Sequence, residues 1–213
     1  MSATPTTPKG RRTRQSIVEA GRRVFARDGF VNARMSDIAE ESQLSLGGLY
    51  RYFMNKDDVF EAVIAHVHED LFAASSAADH NFETEPYEAL LEANRGYLEH
   101  YWEHRDVMRA FMEAAHVDPR FRDIWWTMRT RHVARFLKAL ERSGESTTGI
   151  NPRLAAEAMA CMVEQAAYVW FAQEELYGQE VKRHEAADVV TWAWYRTFFD
   201  DAPARARVAG RGA

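Results

Sequence analysis

A chain of 213 residues, 46% hydrophobic and with a net charge of −5, has room for one large domain or two smaller ones around a packed core. Its single cysteine, Cys161, excludes an intramolecular disulfide framework, and no apolar run reaches the roughly 18 residues that a membrane-spanning helix needs. The basic N-terminal segment MSATPTTPKGRRTRQ is not followed by the apolar stretch of a secretory signal, so a cytoplasmic protein is expected.

The charge is unevenly placed. Residues 1–56 carry ten basic side chains against five acidic ones, and the rest of the chain carries a net −10. A basic head on an acidic body suits a protein whose head approaches phosphate while its body stays clear.

Apolar residues recur at three- and four-residue spacings almost throughout, and no strand-like alternation occurs, so the fold is expected to be all-α. The expected domains are a disordered basic tail over 1–10, a DNA-binding unit over 11–56, a helical body over 57–201 and a disordered tail over 202–213. The first helix should run from about Arg11 to Asp28, burying Ile17, Ala20, Gly21, Val24 and Phe25, with Gly29 at its C-terminal cap. A short helix follows from about Ser36 to Ser42, and a second, capped by the Ser45 hydroxyl, extends through Phe53. Lys56-Asp57-Asp58 opens a long helix through about Ala77, its carboxylates at the positive end of the helix dipole. Further helices are expected over 86–103, 105–117, 120–143, 152–178 and 184–200, separated by Asn81 to Pro86, Asp118-Pro119 and Ser143 to Pro152.

Three short helices within about 45 residues bury a core only if their apolar faces meet, with Val24, Phe25, Phe30, Ile38, Leu44, Leu49 and Phe53 at the centre. The helix near Leu46 to Tyr52 then turns its other face outward. Leu46, Gly47, Gly48, Tyr50 and Arg51 can enter a major groove from there.

Residues 44–56, LSLGGLYRYFMNK, together with VFARDGFVNARMSDIAEES upstream, resemble the DNA-binding region of the TetR/AcrR family of transcription regulators over about the first 60 residues. The resemblance implies a dimeric, ligand-responsive repressor without cofactor or catalytic activity, with a palindromic double-stranded operator and a small-molecule effector as partners. It implies that Tyr50, Tyr52 and Lys56 contact phosphate, that Arg51 reads bases, and that Arg11, Arg12 and Arg14 follow the flanking backbone or minor groove. Gly47 would let backbone approach DNA closely. The chain departs from the family pattern at three places. Arg34 replaces a capping Thr or Ser, so either Ser36 caps a later start or Arg34 itself reaches phosphate. Gln43 occupies a turn position commonly held by glycine, and Gly48 leaves the reading helix short of polar groups.

In the body, Leu154, Ala158, Met162, Ala166 and Val169 form one helical stripe, and Val189, Val190, Trp192, Ala193, Thr197 and Phe198 supply another. The resemblance implies that such a helix pair builds a four-helix homodimer interface, although an internal core would explain many of these residues too. The middle helices carry large aromatic and flexible side chains suited to an apolar effector cavity: Tyr97, Tyr101, Met108, Phe111, Met112, Trp125 and Met128, with His104, His116 and Glu164 or Gln165 as polar candidates. The competing reading is a filled core. His100 and His104 lie four apart beside Glu99 and Glu103, yet no third ligand with fixed spacing is evident and no metal is expected. Two alternatives remain: a small-molecule-binding module with weak DNA specificity, and a metal-dependent helical enzyme built on His100, Glu103 and His104.

Overall fold

The computed structural model describes residues 6–144 and 150–199. Ten α-helices and no strands are present among the described residues, and no helix among them is long and apolar enough to cross a membrane. The expected tails at 1–5 and 202–213 lie outside the described residues, as does 145–149 of the expected connection.

Helix α1 (Pro8–Asn32) begins inside the segment expected to be a tail: the Thr7 hydroxyl caps it by accepting from Gly10 N, and Pro8 suits the first turn. Gly29, at φ 74°, breaks the helix where a terminus was expected, and one further turn carries the chain to Asn32. Helices α2 (Met35–Glu41) and α3 (Leu46–Tyr50) follow. Between them Leu44 N donates to Ala39 O and Gln43 N to Glu40 O, with Gln43 at φ 58°. This is a Schellman turn in which glutamine adopts the left-handed conformation that the sequence demanded.

Helix α4 (Lys56–Ala74), capped by Asn55, packs on α1. The body continues with α5 (Pro86–Glu103), α6 (Arg105–Val117), α7 (Pro119–Ser143), α8 (Pro152–Ala167), the one-turn α9 (Glu174–Tyr177) and α10 (Arg183–Phe198). The single helix expected over 152–178 is interrupted by a π-helical segment, Tyr168–Ala172, closed by Gln173 N donating to Tyr168 O.

Residue 56 does not divide the core. Phe25 and Phe30 of α1, Phe60 of α4 and Phe121 of α7 form one aromatic cluster with ring centroids 4.5–5.2 Å apart. Helix α1 lies along α6 as well as α4, so the basic head is seated on the body rather than tethered to it. In the body α5 packs on α10, where Asn94 donates to Thr191 Oγ1 at 3.0 Å.

Candidate nucleic-acid interface and cavity

The short α3 is anchored from one side only. Leu49 and Phe53 are buried, whereas Leu46 (43% exposed), Tyr50 (49%) and Arg51 face outward. Ser45 Oγ caps the helix by accepting from Gly48 N at 3.1 Å. A Cβ added at Gly47 would meet no atom within 4 Å, so this face is open to close approach by a groove. Arg51 holds no ion pair among the described residues, which leaves its guanidinium available to bases. Arg11 and Arg12 are exposed on the first turns of α1, and Arg14 lies over the Phe53 ring at 4.8 Å, tying that end of α1 to α3.

Two expectations for this face are corrected. Lys56 does not point outward: its ammonium donates to the carbonyls of Phe30, Val31 and Ala33 at 2.8, 2.9 and 3.2 Å and lies over the Phe30 ring. All three of its protons serve the chain end that α1 leaves after Gly29, so Lys56 positions the head from within. Ser36 does not cap α2. Arg34 holds the cap position, its own N–H bonding Asp37, and Ser36 Oγ bonds Asp37 from inside the helix. Arg34 itself remains exposed, and Tyr52 is half-buried against the core.

Between α4, α5, α6, α7 and α8 lies a cavity of about 750 Å³. Tyr97, Tyr101, Met108, Phe111, Met112, Trp125, Met128 and Gln165 all line it, so the aromatic load encloses space instead of filling a core. His104 does not reach it. At the α5–α6 corner, where α5 ends, its ring lies tilted against that of His100 with centroids 4.4 Å apart. His100 Nε2 meanwhile donates to Val67 O. Glu103 comes close enough that one donor atom each from His100, Glu103 and His104 lie within 4.8 Å of one another.

Of the polar candidates Glu164 and Gln165 line the cavity and His116 does not, and Arg129, His68 and His132, which spacing alone had not placed there, complete its polar wall. Arg129, almost fully buried, forms an ion pair with Glu164 and donates to Glu157 O at 2.7 Å. Burial disfavours the Glu164 carboxylate and pushes it up to about 7 against the opposing pull of Arg129. Burial also holds His68 and His132 down at about 4, so both are neutral. The signal was present in α7, where Arg129 and His132 share the stripe of Trp125, Met128 and Phe136 at three- and four-residue steps.

The residues expected at a homodimer interface fall into two groups. Leu154 (63% exposed), Ala158 and Trp192 (48%) are exposed, and Met162, Ala166, Val169, Ala193 and Thr197 are half-buried. Val190 and Phe198 are internal, the latter packed on Phe136 and Trp194, and cannot meet a partner. Val189 of the same stripe, like Trp192, is exposed on the outer face of α10.

Residues 17–63 match the bacterial regulatory proteins of the tetR family, and residues 90–200 match the C-terminal domain of the transcriptional regulator EthR. Among curated relatives, the chain is 38% identical over 65 residues to the uncharacterised regulator YfiR of Bacillus subtilis, covering 30% of this chain and 32% of that one. It is 30% identical over 81 residues to the regulator TtgR of Pseudomonas putida, covering 38% and 39%. It is 36% identical over 58 residues to the nicotine-responsive repressor HdnoR of Paenarthrobacter nicotinovorans, covering 27% and 30%. The chain thus matches only about a third of the length of these relatives. Over most of its length it has the fold of a transcriptional regulator from Rhodococcus sp., with a TM-score of 0.71 at 20% identity and coverage of 86% and 96%.

Proposed function

The chain belongs to the TetR family of DNA-binding transcriptional regulators, a non-enzymatic family, with an EthR-type C-terminal domain, and from that footing we propose that it is a homodimeric repressor released by a small aromatic or hydrophobic effector. One observation carries this reading. Helix α6 brings Met108, Phe111 and Met112 to the cavity and, one residue later, places Glu113 on the backbone of Phe30 in the head. A ligand that moves α6 therefore pushes directly on the element that holds α1.

Operator DNA is read by the outward face of α3, with Arg51 as the base reader and Tyr50 on phosphate. Arg11, Arg12 and Arg34 extend the charge along the flanking backbone. One five-residue helix buries too little surface for tight specific binding, so two heads on a palindromic site are required. The exposed strip of Leu154, Ala158 and Trp192 supports pairing through α8 and α10. An effector acts by favouring the head separation that no longer fits consecutive grooves, and it can shift the equilibrium only by its differential affinity for the two states. The relative HdnoR, named as a nicotine-responsive repressor, is an instance of this kind of control.

Selection of bound sequences from a random DNA pool tests the reading. A palindromic consensus should emerge, and Arg51→Ala should weaken binding to it by about 1–3 kcal/mol while flattening preference at one position per half-site. Equal binding to random and selected DNA at moderate salt would overturn it.

A further inference from the structure

Resting on the reading of the cavity as an effector site, we propose that the effector is a non-cationic aromatic compound carrying a hydroxyl or N–H group, and that His132, with His68 beside it, accepts its hydrogen bond.

His132 Nδ1 lies 3.0 Å from Met128 O. A carbonyl can only accept, so the proton is on Nδ1 and Nε2 carries a bare lone pair. That Nε2 is buried and has no partner among the described residues, and the same is true of Nε2 of His68, a residue 6% exposed. Both residues line the cavity, their rings edge to face with centroids 5.4 Å apart. A buried acceptor in an apolar wall is costly unless paired, and since no hydrogen bond among the described residues fixes the His68 tautomer, its Nε2 can present a second lone pair beside that of His132. What they lack is a donor.

The surrounding charges limit what can bring it. Arg131 and Arg135 stack on Phe72 behind the two histidines and disfavour both protonation of the rings and a cation beside them. Arg129 holds the Glu164 carboxylate, and Arg135, which also lines the cavity, is bonded among the described residues only to the carbonyls of Phe72 and Ser75 and the Ser75 hydroxyl, so the wall carries surplus positive charge and disfavours a cationic ligand. Tyr97, Trp125, Phe136 and Trp194 provide faces and edges for a ring system.

Titration of the full chain with 4-phenylphenol, its methyl ether and biphenyl tests the proposal, followed by tryptophan fluorescence and by thermal shift. The phenol should bind at least about tenfold more tightly than the other two, the worth of one hydrogen bond. His132→Phe and His68→Phe should abolish that preference while keeping biphenyl binding. His68→Phe should also raise the melting temperature of the unliganded protein, because it removes an unpaired buried polar atom but keeps a ring, and His132→Phe, which gives up the bond to Met128 O as well, should raise it less; a histidine with a purely packing role would give no such gain. Equal affinity of the wild type for all three compounds, or a preference that survives both substitutions, overturns the donor assignment and leaves the cavity reading in place. Failure of all three to bind overturns the cavity reading and this proposal with it.

Discussion

Glu113 accepts a hydrogen bond from the backbone N–H of Phe30 at 2.9 Å, joining α6 to the turn that follows the break at Gly29. The bond is part-buried, so Glu113→Ala should strand the N–H and cost about 1–3 kcal/mol of stability in urea denaturation. Glu113→Gln retains an acceptor and should lose less. If α6 transmits the effector signal, Glu113→Ala should also shrink the effector-induced change in DNA affinity. A full response in that variant would show that the signal travels elsewhere.

Lys56 and Arg51 should separate in a salt titration. Lys56→Met removes three carbonyl contacts and should lower the melting temperature, with the slope of log affinity against log salt unchanged in protein that remains folded. A lysine on phosphate would instead reduce that slope by about one.

Two glycines predict opposite outcomes. A Cβ at Gly96 would sit 1.8 Å from the carbonyl oxygen of Ala74, where α5 crosses the end of α4, and backbone cannot yield cheaply. Gly96→Ala should therefore cost at least about 1–3 kcal/mol by calorimetry or denaturant. Gly47→Ala meets nothing within the chain and should stabilise α3 by about 0.5–1 kcal/mol. On DNA the same methyl group stands between backbone and groove, so affinity should fall as stability rises.

The cavity also predicts a pH dependence. His68 and His132 titrate at about 4 in the folded chain against 6.5 unfolded, so their contribution is complete above pH 6.5 and is lost as pH falls toward 4. Glu164, raised from 4.5 to about 7, contributes most below pH 4.5 and loses that contribution as pH rises toward 7. Between pH 4.5 and 6.5 these three groups together take up about one proton on unfolding, worth roughly 1.4 kcal/mol per pH unit in favour of higher pH. In the double variant His68→Phe, His132→Phe only Glu164 remains of the three. The slope relative to wild type should then fall by about two protons, measured by denaturation across that range.

The helical order of the chain was legible because apolar spacing agrees with the Ser45 cap and with the break at Asp118-Pro119, where the structure also ends or begins helices. Tyr97, Met108 and Trp125 were readable as one lining because large side chains recur on facing stripes. The roles of Lys56, Val190 and Phe198 were not. Each depends on a neighbour distant in sequence: Lys56 on carbonyls 23 to 26 residues upstream, and Phe198 on Phe136. The His68–His132 pair was hidden for the same reason, since one ring comes from α4 and the other from α7. Local pattern carries the helices and their faces, whereas the partner of a charged or internal side chain is set by crossings that no local pattern records.

With Leu154, Ala158 and Trp192 joined across a two-fold axis as proposed, the apolar strip on α8 and α10 makes control depend on gene dosage. Where most of the protein is unpaired, the concentration of competent DNA reader scales with the square of the total protein, so halving the protein leaves about a quarter of it. Repression would then collapse over a narrow range of copy number, and dilution at cell division would count as a signal alongside the effector.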